Sequence, residues 1–460
     1  MLGQSFILYE NRKTISNNGF VIHKKEIVED FQFWKKVMSE SHVNMYHAID
    51  ENIFQEQAAL LIKALPKKVN QQQAIMFFGK IAALLNEGHL GLPAAKYADS
   101  LYTQSERFPF LLKTVSEKTL EVDQDLSRKG ILARGTKIVS VNNRKVAELN
   151  KQFKSYFGGL DHWKLQQVGT YVRKLLFLHE IKSPFRITAI TPEGKKIQYT
   201  VKGYNKQEAD SLNKVLAQQN SMRVMPYQFE WRQDSIAYIQ YNNMTTLNNR
   251  PFSRFLDSSF SVIRNQKAKG LIIDIRENGG GNSALAEMMI PYFSNKAYRL
   301  SAGMKWKVSE HYKLFMKGSL GENAGPSFYF ALPNDSIYHY QVKELQQPLE
   351  NSLRFSGKTA LLIGPNTFSS ANMFSDGIRT YELAKVFGEP TGEPGNDYGE
   401  MFNFMLPNSR IIARAPSKMF TRADGDEKNQ APILPHVLVK PELNKDAAFE
   451  AARKWIIHQD

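Results

Sequence analysis

The chain runs to 460 residues, long enough for two or three domains with substantial cores. Hydrophobic content of 42% and aromatic content of 12% exclude a disordered chain, and the absence of cysteine excludes disulfides and thiolate metal sites. The net charge of +15 invites a nucleic-acid reading, but the densest basic spots (Lys24-Lys25, Lys67-Lys68 and Lys195-Lys196) are pairs rather than stripes. With no RNP, zinc-finger or homeodomain pattern, no nucleic-acid partner is expected. No apolar run reaches the ~18–20 residues of a membrane span.

The first residues, Met1-Leu-Gly-Gln-Ser-Phe-Ile-Leu-Tyr9, lack the charged n-region and long apolar core of a signal peptide; a removed leader would look the same, so export stays open. Residues 28–87 read as helices: Ile75, Phe78, Ala82 and Leu85 follow helical spacing, and Gly88 is a candidate C-cap. Residues 109–203 read as a small β-rich module. In it, a strand in 131–146 closes on an Asn142-Asn143 turn, and a hairpin turns at Thr191-Pro-Glu-Gly194. The polar stretch 204–223 reads as a linker helix. From about 228 onward strands and helices alternate: a strand at 235–241, a helix at 252–265, a continuous apolar strand at 270–275, a helix at 282–293, and a strand at 359–364 leading into another helix. Such units argue for an α/β layered core.

Two glycine-bearing or serine-bearing turns carry chemistry. Thr367-Phe-Ser-Ser-Ala-Asn-Met-Phe374 stands between a strand and a helix, where a serine is exposed and helix-start N–H groups are unpaired. Ser369 is therefore either a helix N-cap or a nucleophile beside half an oxyanion hole. Asp274-Ile-Arg-Glu-Asn-Gly-Gly-Gly-Asn282 also follows a buried strand and opens a helix. Gly279, Gly281 and Ala284 fit a dinucleotide fingerprint, but the acid expected ~20 positions on is absent from the Lys296–Ala302 region. Ser356-Gly-Lys-Thr359 imitates the end of a P-loop, yet it precedes its strand and Ser352 stands where the first glycine belongs. His89 follows a helix-stopping glycine. No HExxH or comparable ligand spacing is present, so no metal and no cofactor is implied.

Together these pieces resemble the tail-specific (C-terminal processing) serine peptidase family, which includes the tricorn core protease. The D-x-R-x-N-x-G-G motif stands as Asp274, Arg276, Asn278, Gly280 and Gly281; the nucleophile motif as Thr367, Ser369 and Ser370; the G-E-x-T block as Gly388, Glu389 and Thr391; and a late L-P-[ND]-[SG] strand as Leu406-Pro-Asn-Ser409. Gly135-Thr-Lys-Ile-Val-Ser-Val-Asn-Asn143 is similar to the family's PDZ-like segment, with Thr136 and Asn143 departing from it. The resemblance implies an α/β fold: a crotonase/ClpP-like layered strand–helix core with an N-terminal helical domain and an inserted PDZ-like β-rich domain. The implied division is 1–108 helical, 109–203 PDZ-like, 204–227 linker and 228–460 peptidase core. Pro394 occupies the position of the lysine in serine–lysine members, whereas Glu87-Gly88-His89 matches the histidine motif of tricorn-like members. The resemblance thus implies Ser369 as nucleophile and His89 as general base. Backbone N–H groups of Gly280 and Ser370 would form the oxyanion hole, and Glu427 would be the orienting acid, with Asp424 and Asp426 as alternatives in the same loop. Residues 398–404 and 306–330 would set specificity for a polypeptide substrate, with the PDZ-like module holding its free C-terminus or gating access. Family analogy points to a periplasmic, secreted or envelope-associated protein. The alternatives are a catalytically silent binder of peptides or hydrophobic ligands and, more remotely, an acyl-CoA enzyme.

Overall fold

The computed structural model describes residues 20–127, 129–211, 225–245, 248–320, 326–443 and 445–458. The N-terminal stretch read for a leader and most of the expected linker helix lie outside them. The chain divides into two compact units. The first comprises residues 1–216, 305–338 and 398–418; the second comprises 217–304, 339–397 and 419–460. Among the described residues, no helix is long and apolar enough to cross a membrane.

In the first unit, three helices occupy the expected helical region: Lys24–Ser41, Glu51–Ala64 and Gln71–Leu84. Each begins at a capping residue. Asp50 accepts from the N–H groups of Asn52 and Ile53, and Asn70 forms a reciprocal capping box with Gln73. Ile27, Phe31, Trp34, Val37 and Met38 recur at helical spacing and are buried. The third helix does not end on Gly88. Its C-cap is Leu85, and Asn86 takes the left-handed turn at φ +53°, a conformation asparagine tolerates without a glycine.

The following module pairs its strands antiparallel in the order Phe110–Ser116, Thr119–Asp125, Lys137–Val141, Phe185–Ile190 and Lys196–Val201, with Arg144–Lys145 paired to Lys137–Val141. Asn142 and Asn143 both have positive φ (+48° and +65°), as a tight hairpin turn requires. The module also holds two helices, Val146–Lys154 and Asp161–Leu178. Their apolar faces (Val146, Leu149, Phe153; Val168, Val172, Leu175, Leu176) pack with the inward strand residues in one core. The first unit holds most of a four-stranded sheet ordered Ile337–Gln341, Gly303–Lys307, Ile412–Thr421 and Asp397–Met405. Leu406-Pro-Asn-Ser409, expected as a strand, is the turn between two of these strands, because Pro407 has no N–H to give a ladder. Its N–H groups at Asn408 and Ser409 donate instead to the fully buried Asp30 carboxylate, at 2.9 and 2.7 Å.

The second unit is built on a six-stranded sheet in the order Val437–Leu438, Lys385–Gly388, Lys358–Ile363, Gly270–Asp274, Ile236–Tyr241 and Tyr227–Arg232. All pairs are parallel except the last. Ala237, Ile239, Tyr241, Leu271, Ile273, Leu361 and Ile363 point to one face, covered by helices Arg250–Asn265, Ser283–Met289 and Ser370–Thr380. Ile236, Tyr238, Ile272, Ala360 and Leu362 point to the other, covered by Ala447–Ile457. Burial on both faces is why these strands read as unbroken apolar runs.

Asp274 and Arg276 lock this arrangement. Arg276 Nη2 donates to Asp274 Oδ2 at 2.5 Å, and its Nη1 and Nη2 reach both oxygens of Asp446 at 2.8 Å. Asp446 caps the 447–457 helix, and Tyr238 Oη donates to Asp274 at 2.7 Å. Arg276→Ala would leave the Asp274 carboxylate buried without its cation. The expected loss is about 3–5 kcal/mol of unfolding free energy in urea titration; a loss below about 1 kcal/mol would mean that the clamp is not structural.

Candidate functional site

In the second unit the strand Lys358–Ile363 ends in a turn fixed from three sides. Thr367, fully buried, accepts from Gly364 N–H at 3.0 Å and donates its own hydroxyl to Ile275 O at 2.9 Å. Phe368 N–H donates to Asn278 O at 3.0 Å, and Gly392 N–H to Thr367 O at 3.0 Å. At the tip, Ser369 has φ +52° and ψ −129°, outside the regions an ordinary side chain prefers. Such a residue stores on the order of 1–3 kcal/mol of strain. It occupies the N-cap position of the 370–380 helix, yet its side chain makes no capping hydrogen bond. The capping account of this serine therefore fails. Its own N–H donates to a carboxylate oxygen of Glu393, which is 3% exposed.

The triple-glycine loop lies directly against this turn. Gly280 has φ +92°, and a Cβ there would sit 2.7 Å from Ser369 Cβ and 2.8 Å from Ser370 N. Gly281 has φ +136°, and a Cβ there would lie 2.2 Å from Met244 O. Only glycine permits either contact. Ser370 Oγ donates to Gly281 O at 2.6 Å, tying the two motifs together. Asn278, wholly buried, donates to Tyr241 O at 2.9 Å and accepts the Gly280 N–H at 2.9 Å. Gly280 N–H is thus engaged by the Asn278 side chain, while Ser370 opens the helix.

Asp424, Asp426 and Glu427 all lie exposed in one loop of this unit. Asp424 Oδ1 pairs with Arg422 Nε at 3.1 Å and accepts from Asp426 N–H at 2.8 Å. Asp426 Oδ1 accepts from Lys428 N–H at 3.0 Å. Glu427 lends its backbone carbonyl to Gln430 Nε2 at 3.3 Å.

His89 belongs to the first unit. Its turn is pressed against a glycine pair: Gly159 N–H donates to Asn86 O at 3.0 Å, and a Cβ on Gly158 would come within 2.3 Å of Glu87 N. Its side chain is 12% exposed, with Nδ1 4.0 Å from Glu87 Oε1. Glu87 is buried and accepts a hydrogen bond from His42 Nε2 at 2.9 Å. His42 and His47 stand beside Tyr398, with ring centroids 4.6 and 4.4 Å from it. Sequence reasoning missed His42 and Glu393. Glu393 sits just past the G-E-x-T block, but an acid next to a proline in a loop gives no periodic signal; His42 has no signal beyond closing a helix.

A chain with a strained serine at a strand–helix turn, backed by a glycine loop on a mostly parallel sheet, is built like a serine hydrolase. Residues 235–439 match the profile of peptidase family S41, which makes this stretch similar to the peptidases of that family. Three solved structures share the fold. A CPAF point mutant aligns with a TM-score of 0.67 at 12% identity, covering 94% of this chain and 96% of that one. Mature CPAF complexed with lactacystin gives 0.63 at 12% (94% and 97%), and mature CPAF gives 0.61 at 13% (94% and 96%). No curated protein matches the sequence.

Burial pushes the His42 imidazole down to about 3 and the His47 and His179 imidazoles to about 4. All three folded values lie below the unfolded ~6.5, so the unfolded chain binds more protons between these limits. Their contribution to stability is complete above about pH 6.5 and is lost as pH falls toward 4. The urea midpoint should drop steadily from pH 7 to pH 4.5, with a shallower slope in His42→Asn. A midpoint unchanged over that range would show that these rings are hydrated in the folded protein.

Proposed function

We propose that the protein is a serine endopeptidase that cleaves polypeptides through an acyl-enzyme. Ser369 attacks the scissile carbonyl and His89 takes the hydroxyl proton as general base. Glu427 orients the imidazole, with Asp424 and Asp426 the nearest substitutes in its loop. The tetrahedral oxyanion is held by the N–H groups of Ser370 and Gly280; the latter would divide its hydrogen bond between the oxyanion and Asn278 Oδ1. His89 then returns the proton to the leaving amine, and water, activated by the same imidazole, releases the acyl group. No metal or cofactor enters this scheme.

The observation that carries the proposal is the conformation of Ser369: positive φ, no capping bond, and a glycine loop in contact with its Cβ. A protein that only bound peptides or hydrophobic ligands would gain nothing from that strain, which disfavours the silent-binder alternative.

The 109–203 segment is read as the PDZ-like insertion between the helical segment 1–108 and, after the 204–227 linker, a crotonase/ClpP-like core at 228–460. Its sheet and helices could take a substrate C-terminus as an added strand. The 306–330 segment, whose described aromatics Trp306, Tyr312 and Tyr329 pack on one another, would line the specificity pockets with Phe402. A periplasmic, secreted or envelope location fits this reading.

A serine-reactive fluorophosphonate should label the wild-type protein at Ser369, located by peptide mass spectrometry. Ser369→Ala should abolish labelling, and His89→Ala should slow it by on the order of 10⁴-fold or more, the scale of losing a triad member. Absence of labelling in a folded wild-type protein near pH 7.5 would overturn the proposal.

A further inference from the structure

His89 is not alone in its unit. Asn44 N–H donates to His42 Nδ1 at 3.0 Å, so that nitrogen carries no proton and His42 Nε2–H must be the donor to Glu87 Oε2 at 2.9 Å. The tautomer of His42 is therefore fixed by the backbone, and Glu87 is fixed as an acceptor. The side chains of His42 and Glu87 are 0% and 2% exposed. A carboxylate buried to this degree is costly to keep ionised unless cations or donors face it. One of its oxygens faces a neutral donor. The other, Oε1, faces His89 Nδ1 at 4.0 Å. Such a separation is long for a hydrogen bond in the resting protein, and catalytic contacts commonly tighten only in the Michaelis or transition-state complex. The backbone of Glu87 is closely packed: a Cβ on Gly158 would come within 2.3 Å of its N and 2.6 Å of its O. Tyr398 covers the His42 ring, and burial together with the Glu87 charge raises its hydroxyl pKa.

We propose that Glu87 is a positioning residue for His89: a buried carboxylate, oriented by His42, that holds the Nδ1 edge of the imidazole and stabilises the imidazolium formed when Nε2 accepts the nucleophile's proton. The inference rests on the serine–histidine reading above and adds to the exposed acid loop a second carboxylate, from the histidine's own turn. It also gives a chemical reason for an acid two residues before the base, where a spacer would otherwise serve. His42 acts one step further out. It keeps a neutral N–H on Glu87, which fixes the carboxylate without neutralising it.

The test uses fluorophosphonate labelling resolved into maximal rate and half-saturating concentration, with three proteins: wild type, Glu87→Gln and Glu87→Asp. Glutamine retains the size and can still accept from His42, but it removes the charge. The maximal labelling rate of Glu87→Gln should fall on the order of 10²-fold, the low end of a general base's contribution. Its half-saturating concentration and urea midpoint should stay near wild type, and Glu87→Asp should recover part of the rate. Unchanged maximal labelling in Glu87→Gln, with wild type labelling normally, would overturn the inference and leave the serine–histidine reading intact.

Nitrogen-15 NMR of histidine-labelled wild-type protein gives a second readout that needs no activity and no variant that folds. It should show His42 protonated at Nε2 and His89 protonated at Nδ1. His89 carrying its proton on Nε2 would contradict the inference even if the variants fail to fold. If wild type does not label at all, the peptidase reading fails, and the Glu87 inference is then judged by NMR alone: a His89 proton on Nε2 overturns it, and an Nδ1 proton that persists unchanged in Glu87→Gln overturns it as well.

Discussion

Two backbone segments approach each other in the second unit more closely than any side chain would permit, and the proposed chemistry depends on that approach. The loop at Asn278–Gly281 presses on the turn at Phe368–Ser370, and Gly280 is in contact with the Ser369 side chain because it has no Cβ of its own. Glycine alone combines the required positive φ with the missing atom. Three bonds hold the strained serine turn: Phe368 N–H donates to Asn278 O, the Thr367 hydroxyl to Ile275 O, and Ser369 N–H to the Glu393 carboxylate. A strained residue persists only where its surroundings over-determine it, and here the N–H groups of Phe368 and Ser369 and the Thr367 hydroxyl are all engaged.

The sheet beneath makes this possible. Gly270–Asp274 and Lys358–Ile363 are parallel neighbours, in register from Gly270 opposite Lys358 to Asp274 opposite Leu362. Both therefore deliver their following turns to the same edge, the carboxyl end, where parallel α/β sheets place their sites. Asp274 and Arg276 occupy the end of one strand, and their clamp to Asp446 sets the helix that covers the sheet's other face. The motif thus has two halves with different duties: its acid and arginine secure the core, and its asparagine and glycines shape the serine turn.

Much of this was legible in the sequence because burial on both faces leaves an unmistakable apolar run, as at Gly270–Asp274, and because three successive glycines demand an explanation. The helices of the β-rich module were missed: Val146–Lys154 and Asp161–Leu178 bury narrow stripes among many polar residues, and the stronger strand signals around them dominated. The end of the third helix was misread for a local reason, since Asn86 can take the left-handed turn that Gly88 was expected to supply. Leu406–Ser409 was misread as a strand because its turn is stabilised by a partner remote in sequence, Asp30. Glu393 and His42 were invisible for the same kind of reason. Their importance is a matter of what they touch, and no spacing announces it.

The most direct test of the account is a crystal structure of the protein after reaction with a fluorophosphonate. The account predicts a phosphonyl group bonded to Ser369 Oγ, its oxygen within hydrogen-bonding distance of Ser370 N–H and Gly280 N–H, and His89 Nε2 beside Oγ. An adduct on any other residue, or a Ser369 adduct whose oxygen turns away from Gly280 and Ser370, would contradict it.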